Sequence, residues 1–213
     1  MKGLTIRSVT QAVGGVLYCN GKRLSDGADD ERQISAVTID SRTVTENSLF
    51  IAVKGERNDG HDFIKECLDK GAAAVISEKI IPDENRPVIV VDSTLKALRD
   101  LASFYRSQLN VKVVGITGSV GKTSTKETIA SVLATRYRVL KTKGNYNNEI
   151  GVPLTVFRIT EDDEVAVLEL GISDFGEMER LTAIAKPDIC VITNIGQCHL
   201  ENLHSREGIF RAK

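Results

Sequence analysis

The stretch from Val111 to Lys126, VKVVGITGSVGKTSTK, constrains the fold of this chain more than any other segment. It opens with an apolar, β-branched run to Ile116, which predicts a buried strand. A turn containing Gly118 and Gly121 follows, and a helical pattern begins at Lys122. A strand, a glycine turn, a Lys-Thr pair and a helix form the layout of a phosphate-binding loop, where backbone N–H groups and the helix N-terminus face phosphate oxygens.

The loop departs from the strict GxxxxGK[ST] pattern, because Ile116 stands where that pattern has its first glycine. The alternative is a glycine turn that merely joins a strand to a helix. The Lys-Thr pair in register after the strand favours nucleotide binding, so we expect the chain to bind ATP or GTP. Lys122 would then reach the β- and γ-phosphates, and the Thr123 hydroxyl would ligate Mg²⁺. The predicted nucleotide-binding residues are Thr117, Gly118, Ser119, Val120, Gly121, Lys122, Thr123 and Ser124.

Composition excludes several classes of protein. The 213 residues, 41% of them hydrophobic, suffice for one large or two ordinary domains. A net charge of −1 gives no electrostatic case for nucleic acid or an anionic membrane as partner. The N-terminus lacks the apolar core of a secretory signal, and no apolar run approaches the length of a membrane span. The four cysteines form no CxxC pair, and we expect Cys67 and Cys190 to be buried thiols of a cytoplasmic protein.

Helical and strand-like segments alternate along the chain, which predicts an α/β fold with parallel sheets covered on both faces. We expect a small N-terminal α/β domain over residues 1–107 and a phosphate-loop-type, parallel-sheet domain over residues 108–213. The predicted strands are Ser35–Ile39, Ser48–Val53, Ala73–Ile76, Val88–Val91, Val111–Ile116, Arg138–Thr142, Val165–Leu170 and Asp188–Thr193. The predicted helices are His61–Lys70, Thr94–Leu109, Lys122–Tyr137 (with Ile129, Val132 and Leu133 inward), Val152–Ile159 and Phe175–Ala185.

The chain stops where a helical pattern has only begun, over Glu207–Lys213. A phosphate-loop sheet with so few strands also lacks the material to close its fold. We therefore expect this chain to be part of a longer protein.

Glu169 ends the predicted strand VAVLEL, next to the phosphate loop. Open α/β sheets bind ligands at the carboxyl ends of their strands, so this carboxylate is a candidate Mg²⁺ ligand rather than a surface glutamate. Asn194 and His199 follow the last strand, and the imidazole of His199 is either structural or a neighbour of a second metal ion. On the residues alone, His61 and His204 are structural and Lys213 is an ordinary solvated lysine. The amide-rich GNYNNEIG loop, 144–151, is either a ligand contact or a local turn.

Several motifs in order along the chain resemble the Mur ligase family. They are TGSVGKTSTKE, GNYNNEIGVPLT, the ELG of Glu169–Gly171, PDICVITNIGQCHLE and the N-terminal IDSRTVTENSLFIAVKGERNDGHDF. The resemblance spans nearly the whole chain. It implies a cytoplasmic, ATP- and Mg²⁺-dependent, ADP-forming ligase of peptidoglycan precursor synthesis. Within the family, the motifs are most similar to the member that joins D-alanyl-D-alanine to UDP-N-acetylmuramoyl-tripeptide through an acyl phosphate.

The resemblance also implies roles for individual residues. Thr123 and Glu169 would ligate one Mg²⁺ and His199 a second, while Lys122, His199 and Lys213 would serve catalysis. Lys213 stands where some family members carry a lysine carbamylated by CO₂, and Asn148 would contact ATP. The N-terminal domain would hold the uridine diphosphate end of the substrate, since Arg and backbone amides suit a diphosphate. The residues expected there are Ser41, Arg42, Lys54, Gly55, Asn58, Asp59 and His61.

The family carries a third, C-terminal domain that this chain lacks, so we expect the chain alone not to complete the reaction. We also expect a monomer. Three alternatives remain open at this point. The first is the family member that adds the third amino acid, which GNYNNEIGVP disfavours. The second is a phosphate-loop switch protein without ligase chemistry, and the third is a non-catalytic binding module.

Overall fold

The computed structural model describes residues 1, 3–24, 30–55 and 58–213. They form two compact units, Met1–Phe104 and Tyr105–Lys213. The division falls inside helix α3 (Thr94–Ser107), close to the predicted boundary at Ser107–Asn110. Within the described residues, no helix has both the length and the apolar character needed to cross a membrane.

The first unit is a six-stranded sheet with short helices. Its strands are β1 (Val16–Cys19), β2 (Lys22–Arg23), β3 (Val37–Thr38), β4 (Leu49–Ile51), β5 (Ala74–Ser77) and β6 (Val88–Val90). Its helices are α1 (Ile6–Ala12), α2 (Ile64–Asp69), most of α3, and 3-10 helices at Ser41–Thr43 and Gly60–Phe63. The strand order is β2-β1-β6-β5-β4-β3, with β3 to β6 parallel.

One part of the core of this unit lies between the sheet and α2. Phe50 of β4 and Val75 of β5 are fully buried, and they belong to one apolar cluster with Cys67 and Leu68 of α2. The prediction that Cys67 is a buried thiol is confirmed. Gly71 follows α2 with a φ of 96°, a conformation that glycine adopts without a steric penalty, so the helix ends here as predicted.

The hairpin of β1 and β2 was not among the predicted elements. β1 pairs antiparallel with both β2 and β6, so this sheet is mixed rather than parallel. Asn20 and Gly21 join the two strands with φ values of 53° and 65°. Asn-Gly between two strands is a strong hairpin signal, because both residues tolerate positive φ. The signal was present, but β2 is only two residues long and carries no apolar pattern.

The second unit is a four-stranded parallel sheet with the order β10-β7-β9-β8. Its strands are β7 (Lys112–Thr117), β8 (Val139–Lys141), β9 (Val165–Glu169) and β10 (Ile189–Ile192). Its helices are α4 (Lys122–Leu133), α5 (Gly151–Val156), α6 (Glu177–Ala185), α7 (Leu200–Leu203) and α8 (Arg206–Ala212). The predicted α/β class is confirmed. The central strands β7 and β9 end side by side, because their register pairs Ile116 with Glu169.

Arg106 anchors the chain segment that leads into strand β7. Its buried guanidinium donates to the carbonyl oxygens of Ala185 at 3.0 Å, Leu109 at 3.1 Å and Val111 at 3.1 Å. Burial lowers the pKa of this guanidinium, and the Asp188 carboxylate acts in the opposite direction. Three backbone acceptors thus satisfy a cation that would be costly to bury alone.

The prediction of which residues of α4 point inward is partly wrong. Val132 was expected to point inward, but it is 64% exposed, whereas Lys126 and Ala130 are buried. Ile129 and Leu133 are partly buried against the sheet, as predicted. The helix packs on β7 and β9 along the face that carries positions 126 and 130, and Val132 lies off that face.

β10 is also not the buried strand that was predicted. It lies at the end of the strand order and pairs only with β7. Ile189 and Ile192 are 58% and 50% exposed, and Cys190 is exposed, so the prediction of a buried Cys190 thiol is wrong. An apolar run of four residues gives the same sequence pattern for a central strand and an edge strand.

Candidate active site

The turn after β7 is held in a conformation that requires glycine. Gly118 has a φ of 142°, and a Cβ built there would lie 1.9 Å from Thr193 Oγ1. Gly121 has a φ of 82° and forms the N-cap of α4. The turn therefore leads directly into the N-terminus of a twelve-residue helix, which is a favourable environment for phosphate oxygens.

The segment after β10 clasps this turn. Ser119 N donates to the carbonyl oxygen of Asn194 at 3.1 Å, and Val120 N donates to Asn194 Oδ1 at 3.2 Å. The Thr193 hydroxyl donates to the carbonyl oxygen of Val120 at 2.6 Å. Asn194, a candidate from its position after a strand, thus shapes the phosphate loop.

Lys122 bends back over the loop. Its Nζ donates to the carbonyl oxygens of Gly118 at 2.9 Å and Ser119 at 3.5 Å. The ammonium therefore lies at the loop, and its contact with the β- and γ-phosphates stays a prediction.

Glu169 lies at the end of β9 with its side chain 3% exposed. The Thr123 hydroxyl donates to Oε2 at 3.0 Å, and Asn147 Nδ2 donates to Oε1 at 2.8 Å. The Glu169 N–H donates in turn to the hydroxyl of Thr142 at 3.0 Å. The structure thus brings together Thr123 and Glu169, the two residues predicted to ligate the first Mg²⁺.

Asn147 is attached to the same strand end by its backbone. Its carbonyl oxygen accepts from Gly171 N at 2.7 Å. Its side chain packs against Gly171, since a Cβ built at Gly171 would lie 3.0 Å from Asn147 Cγ. The neighbouring Asn148, predicted to contact ATP, uses its Oδ1 to accept from Gly151 N at 2.8 Å at the start of α5. The amide that reaches Glu169 thus belongs to Asn147, and the contact of Asn148 with ATP stays a prediction.

The oxygens of Thr123 and Glu169 are of the kind that Mg²⁺ prefers. Across the described ranges, no group of three or more His, Cys, Asp or Glu side chains could hold a metal ion. A carboxylate, a hydroxyl, substrate phosphates and water together suit Mg²⁺, which usually binds one or two carboxylates and keeps several waters. The residues present therefore fit this ion as a partner of a bound nucleotide.

His199 is not part of that carboxylate and hydroxyl pair. It is exposed, has a φ of 48°, and forms the N-cap of α7. Among the described residues, no hydrogen bond joins it to Thr123 or Glu169, so its assignment as a ligand of a second metal stays a prediction.

Lys213 is half-buried close to Lys122. Burial lowers the pKa of its ammonium; the Cys198 thiol acts in the opposite direction, and the charge of Lys122 lowers the pKa further. Cys198 also donates to Ser119 Oγ at 3.3 Å. The end of α8 and the phosphate loop thus share one electrostatic environment, which the sequence order did not reveal.

In the first unit, Arg42 is held by its own neighbour. Its Nε and Nη2 donate to the Asp40 carboxylate at 2.9 and 2.7 Å, and the side chain is 85% exposed. The hydrogen bonds from Arg42 lower the pKa of Asp40 to about 2. The carbonyl oxygen of Ser41 accepts from Lys70 Nζ at 3.0 Å.

The turn that follows β4 brings together most of the other residues predicted for the uridine diphosphate end. Lys54 and Asp59 form a β-bridge, and Gly55 N donates to the carbonyl oxygen of Asn58 at 2.9 Å. Glu56 and Arg57, which follow Gly55 in the N-terminal motif, lie outside the described residues.

His61 follows this turn with both ring nitrogens engaged. Nδ1 lies 2.6 Å from Asp59 Oδ1, and Nε2 accepts from Glu78 N at 3.0 Å. The imidazole fastens the turn to the segment after β5. Its role in substrate binding stays a prediction.

Comparison with known proteins gives two matches to models of one family. Residues 116–213 match the Mur ligase middle domain, and residues 33–106 match the Mur ligase family, catalytic domain. The chain belongs to the Mur ligase family. The resemblance predicted from the motifs is therefore confirmed, and the phosphate loop, Glu169 and His199 all lie in the middle domain of this Mur ligase chain.

Relatives with similar sequences carry one name. The chain is 46% identical over 211 residues to the UDP-N-acetylmuramoyl-tripeptide--D-alanyl-D-alanine ligase of Bacillus subtilis, covering 98% of this chain and 45% of that protein. It is 37% identical over 213 residues to the enzyme of that name from Escherichia coli, again covering 45% of it. This Mur ligase chain thus spans less than half the length of these relatives.

Two solved structures that superpose on this chain are both named MurF. MurF from Acinetobacter baumannii superposes with a TM-score of 0.86 at 35% identity, covering 98% of this chain and 45% of that one. MurF ligase from Thermotoga maritima, in complex with ADP, superposes with a TM-score of 0.77 at 40% identity, covering 83% of this chain and 41% of that one.

Sequence reasoning missed two residues at the carboxylate of this Mur ligase, Lys126 and Asn147. Lys126 Nζ lies 3.9 Å from Glu169 Oε2. A signal existed, because Lys126 is three positions after Thr123 and so shares its helix face. For Asn147 no signal separates it from its neighbours in the amide-rich loop.

Proposed function

We propose that the protein to which this chain belongs joins D-alanyl-D-alanine to UDP-N-acetylmuramoyl-tripeptide with consumption of ATP. The observation that carries this proposal is the hydrogen bond from Thr123 to Glu169 beside the phosphate loop, in a chain 46% identical to an enzyme of that name. ATP, Mg²⁺ and both peptide substrates are the implied partners, and the protein acts in the cytoplasm as a monomer.

The reaction would proceed in two steps. The terminal carboxylate of the tripeptide attacks the γ-phosphorus of ATP, the bond to the β-phosphate oxygen breaks, and an acyl phosphate and ADP form. The amine of D-alanyl-D-alanine then attacks the acyl carbon. The tetrahedral intermediate loses phosphate, and the nitrogen loses a proton as the amide forms.

The residues of this chain supply mainly position and charge, as phosphoryl transfer requires. Lys122 leaves the carbonyl oxygens of Gly118 and Ser119 and pairs with phosphate oxygens, while the loop N–H groups orient the β-phosphate. Thr123 and Glu169 would hold Mg²⁺, which would supply positive charge to offset that of the phosphates. His199 would lie beside a second Mg²⁺, and Lys213 is the further candidate for a role in catalysis.

The division of labour between the units is part of the proposal. Residues 1–107 bind the uridine diphosphate end through Ser41, Arg42 and the turn of Lys54, Gly55, Asn58 and Asp59. Residues 108–213 bind ATP. Arg42 would leave the Asp40 carboxylate and pair with a diphosphate instead. The free energy lost with the first pair is small, because the Arg42 side chain is 85% exposed.

Calorimetric titration of this chain tests the proposal, with UDP-N-acetylmuramoyl-tripeptide and with ADP plus Mg²⁺ as separate ligands. Binding is the measured quantity because the relatives are more than twice as long as this chain. We expect saturable one-to-one binding of each ligand. A folded chain that binds neither would overturn the proposal. Binding of ADP without the muramyl peptide would favour a phosphate-loop switch protein instead.

A further inference from the structure

Lys126 is a buried lysine that the proposed reaction does not use. It belongs to α4 one turn after Thr123, and its side chain is 2% exposed. An ammonium is costly to bury unless anions compensate for its charge. Two carboxylates do so here, since Nζ lies 3.2 Å from Glu127 Oε1 and 3.9 Å from Glu169 Oε2.

The two carboxylates differ in their surroundings. Glu127 is about half exposed, at 47%, and also pairs with Lys141, whereas Glu169 is 3% exposed. Water therefore screens the charge of Glu127, while the charge of Glu169 acts on its neighbours through the low-dielectric interior. Lys126 is the cation that faces the oxygen of Glu169 to which Thr123 also donates.

This arrangement weakens the site for a free metal ion. The described part of the chain contains no cluster of three or more acidic, His or Cys side chains to hold one. The Glu169 carboxylate, moreover, is already partly neutralised by Lys126. A divalent cation that approached without phosphate would meet a nearby positive charge and only one buried carboxylate.

We propose that Lys126 is a positioning residue that makes metal binding depend on bound nucleotide. Its charge holds the Glu169 carboxylate in place and lowers the affinity of the site for a free divalent ion. Phosphate oxygens would then add the negative charge that the metal requires. The inference rests on the proposed nucleotide site and adds a residue that controls the order of binding.

The test uses Mn²⁺ as the probe, because its electron paramagnetic resonance signal reports the free and bound ion without any turnover. Mn²⁺ affinity is measured for the whole chain with and without ADP, in the unchanged protein and in Lys126→Met. Methionine keeps the length and apolar stem of the side chain and removes the charge. Lys141→Met is the matched control, because Lys141 pairs with the same Glu127, whereas the ion pair with Glu169 that the described residues show belongs to Lys126.

Without ADP, we expect Lys126→Met to bind Mn²⁺ roughly tenfold more tightly than the unchanged chain, and Lys141→Met to differ by less than about threefold. The dependence on ADP should shrink in Lys126→Met alone. Unchanged or weaker binding of Mn²⁺ by a folded Lys126→Met chain would overturn the inference. Failure of the unchanged chain to bind Mn²⁺ with ADP would instead overturn the proposed nucleotide site.

A second variant serves if Lys126→Met does not fold, as judged by circular dichroism. Glu127→Gln changes an exposed side chain and removes the other anion beside Lys126. The ammonium then neutralises Glu169 more fully, so Mn²⁺ affinity in the presence of ADP should fall by roughly threefold or more. An unchanged affinity would count against the inference.

Discussion

The Thr123 hydroxyl donates to Glu169 Oε2 across 3.0 Å, and this contact joins the start of α4 to the end of β9. The two residues are 46 positions apart in the chain. They meet because β7 and β9 are parallel neighbours, so that the phosphate loop after one strand lies beside the last residue of the other. A candidate metal site thus follows from strand order together with one residue at each strand end.

Replacement of Lys122 by alanine tests the phosphate loop directly. The ammonium contacts only loop carbonyl oxygens among the described residues, so we expect the thermal midpoint of unfolding to be unchanged. ADP affinity should fall roughly tenfold to a hundredfold, because one charge-assisted contact to phosphate is lost. Calorimetry measures the affinity, with the exposed Lys143→Ala as control. Equal loss in both variants would contradict a specific role for Lys122.

Replacement of Gly118 by alanine tests the clasp between the loop and Thr193. The new Cβ would meet Thr193 Oγ1 and would also occupy a φ of 142°. We expect a loss of about 2–3 kcal/mol in the free energy of unfolding, measured by urea denaturation.

Gly144→Ala is the control for that variant. Gly144 has a φ of 55°, but nothing lies within 4 Å of a Cβ built there. This substitution should therefore cost only the backbone strain, about 1 kcal/mol. Similar costs at both positions would mean that Thr193 moves away freely and does not hold the loop.

The phosphate loop could be predicted because its signals are local. A β-branched run, two glycines and a Lys-Thr pair follow each other within sixteen residues. The position of Glu169 could be predicted as well. A carboxylate at the end of a buried apolar run lies at the carboxyl end of a strand in a parallel sheet. The α/β class, which is confirmed, was predicted from the alternation of strand-like and helical segments along the chain.

Other features depended on packing that the sequence does not encode locally. Lys126 looks like a solvated helix residue, yet it is buried, because α4 turns that face to the sheet. Val132 is apolar but lies off that face. The exposure of β10 depends on its place at the end of the strand order, which no property of its four residues reveals.

The Asp40 carboxyl provides a test by pH. Hydrogen bonds from Arg42 lower its pKa to about 2 from an ordinary 3.8. A carboxyl with a lowered pKa adds stability that is present above its ordinary pKa and is lost as the pH falls towards about 2. Arg42→Ala should raise the pKa part of the way towards 3.8, because the backbone hydrogen bond to Asp40 remains. Carboxyl titration by NMR measures the shift.

Arg32→Ala is the matched control, since Arg32 forms the same two-residue fork with Asp30. That substitution should raise the pKa of Asp30 and leave Asp40 at about 2. Both substitutions should flatten the loss of stability at acid pH, because Arg32 and Arg42 each lower the pKa of a carboxyl. The pKa of Asp40 itself is therefore the measurement that separates them, since only Arg42→Ala should change it. A pKa of Asp40 that stays low in Arg42→Ala would show that the backbone contact alone lowers it.

The cysteines test the corrected position of β10. Cys190 lies exposed on the edge strand, while Cys67 is fully buried and burial raises the pKa of its thiol to about 11. Because the thiolate is the reactive form, Cys190 should react with Ellman's reagent in a fast phase at pH 8, and Cys67 only after unfolding. Cys19 and Cys198 are partly exposed, so Cys190→Ser should reduce the amplitude of the fast phase by one thiol and not abolish it. An unchanged amplitude in that variant would mean that Cys190, and with it β10, is covered in solution.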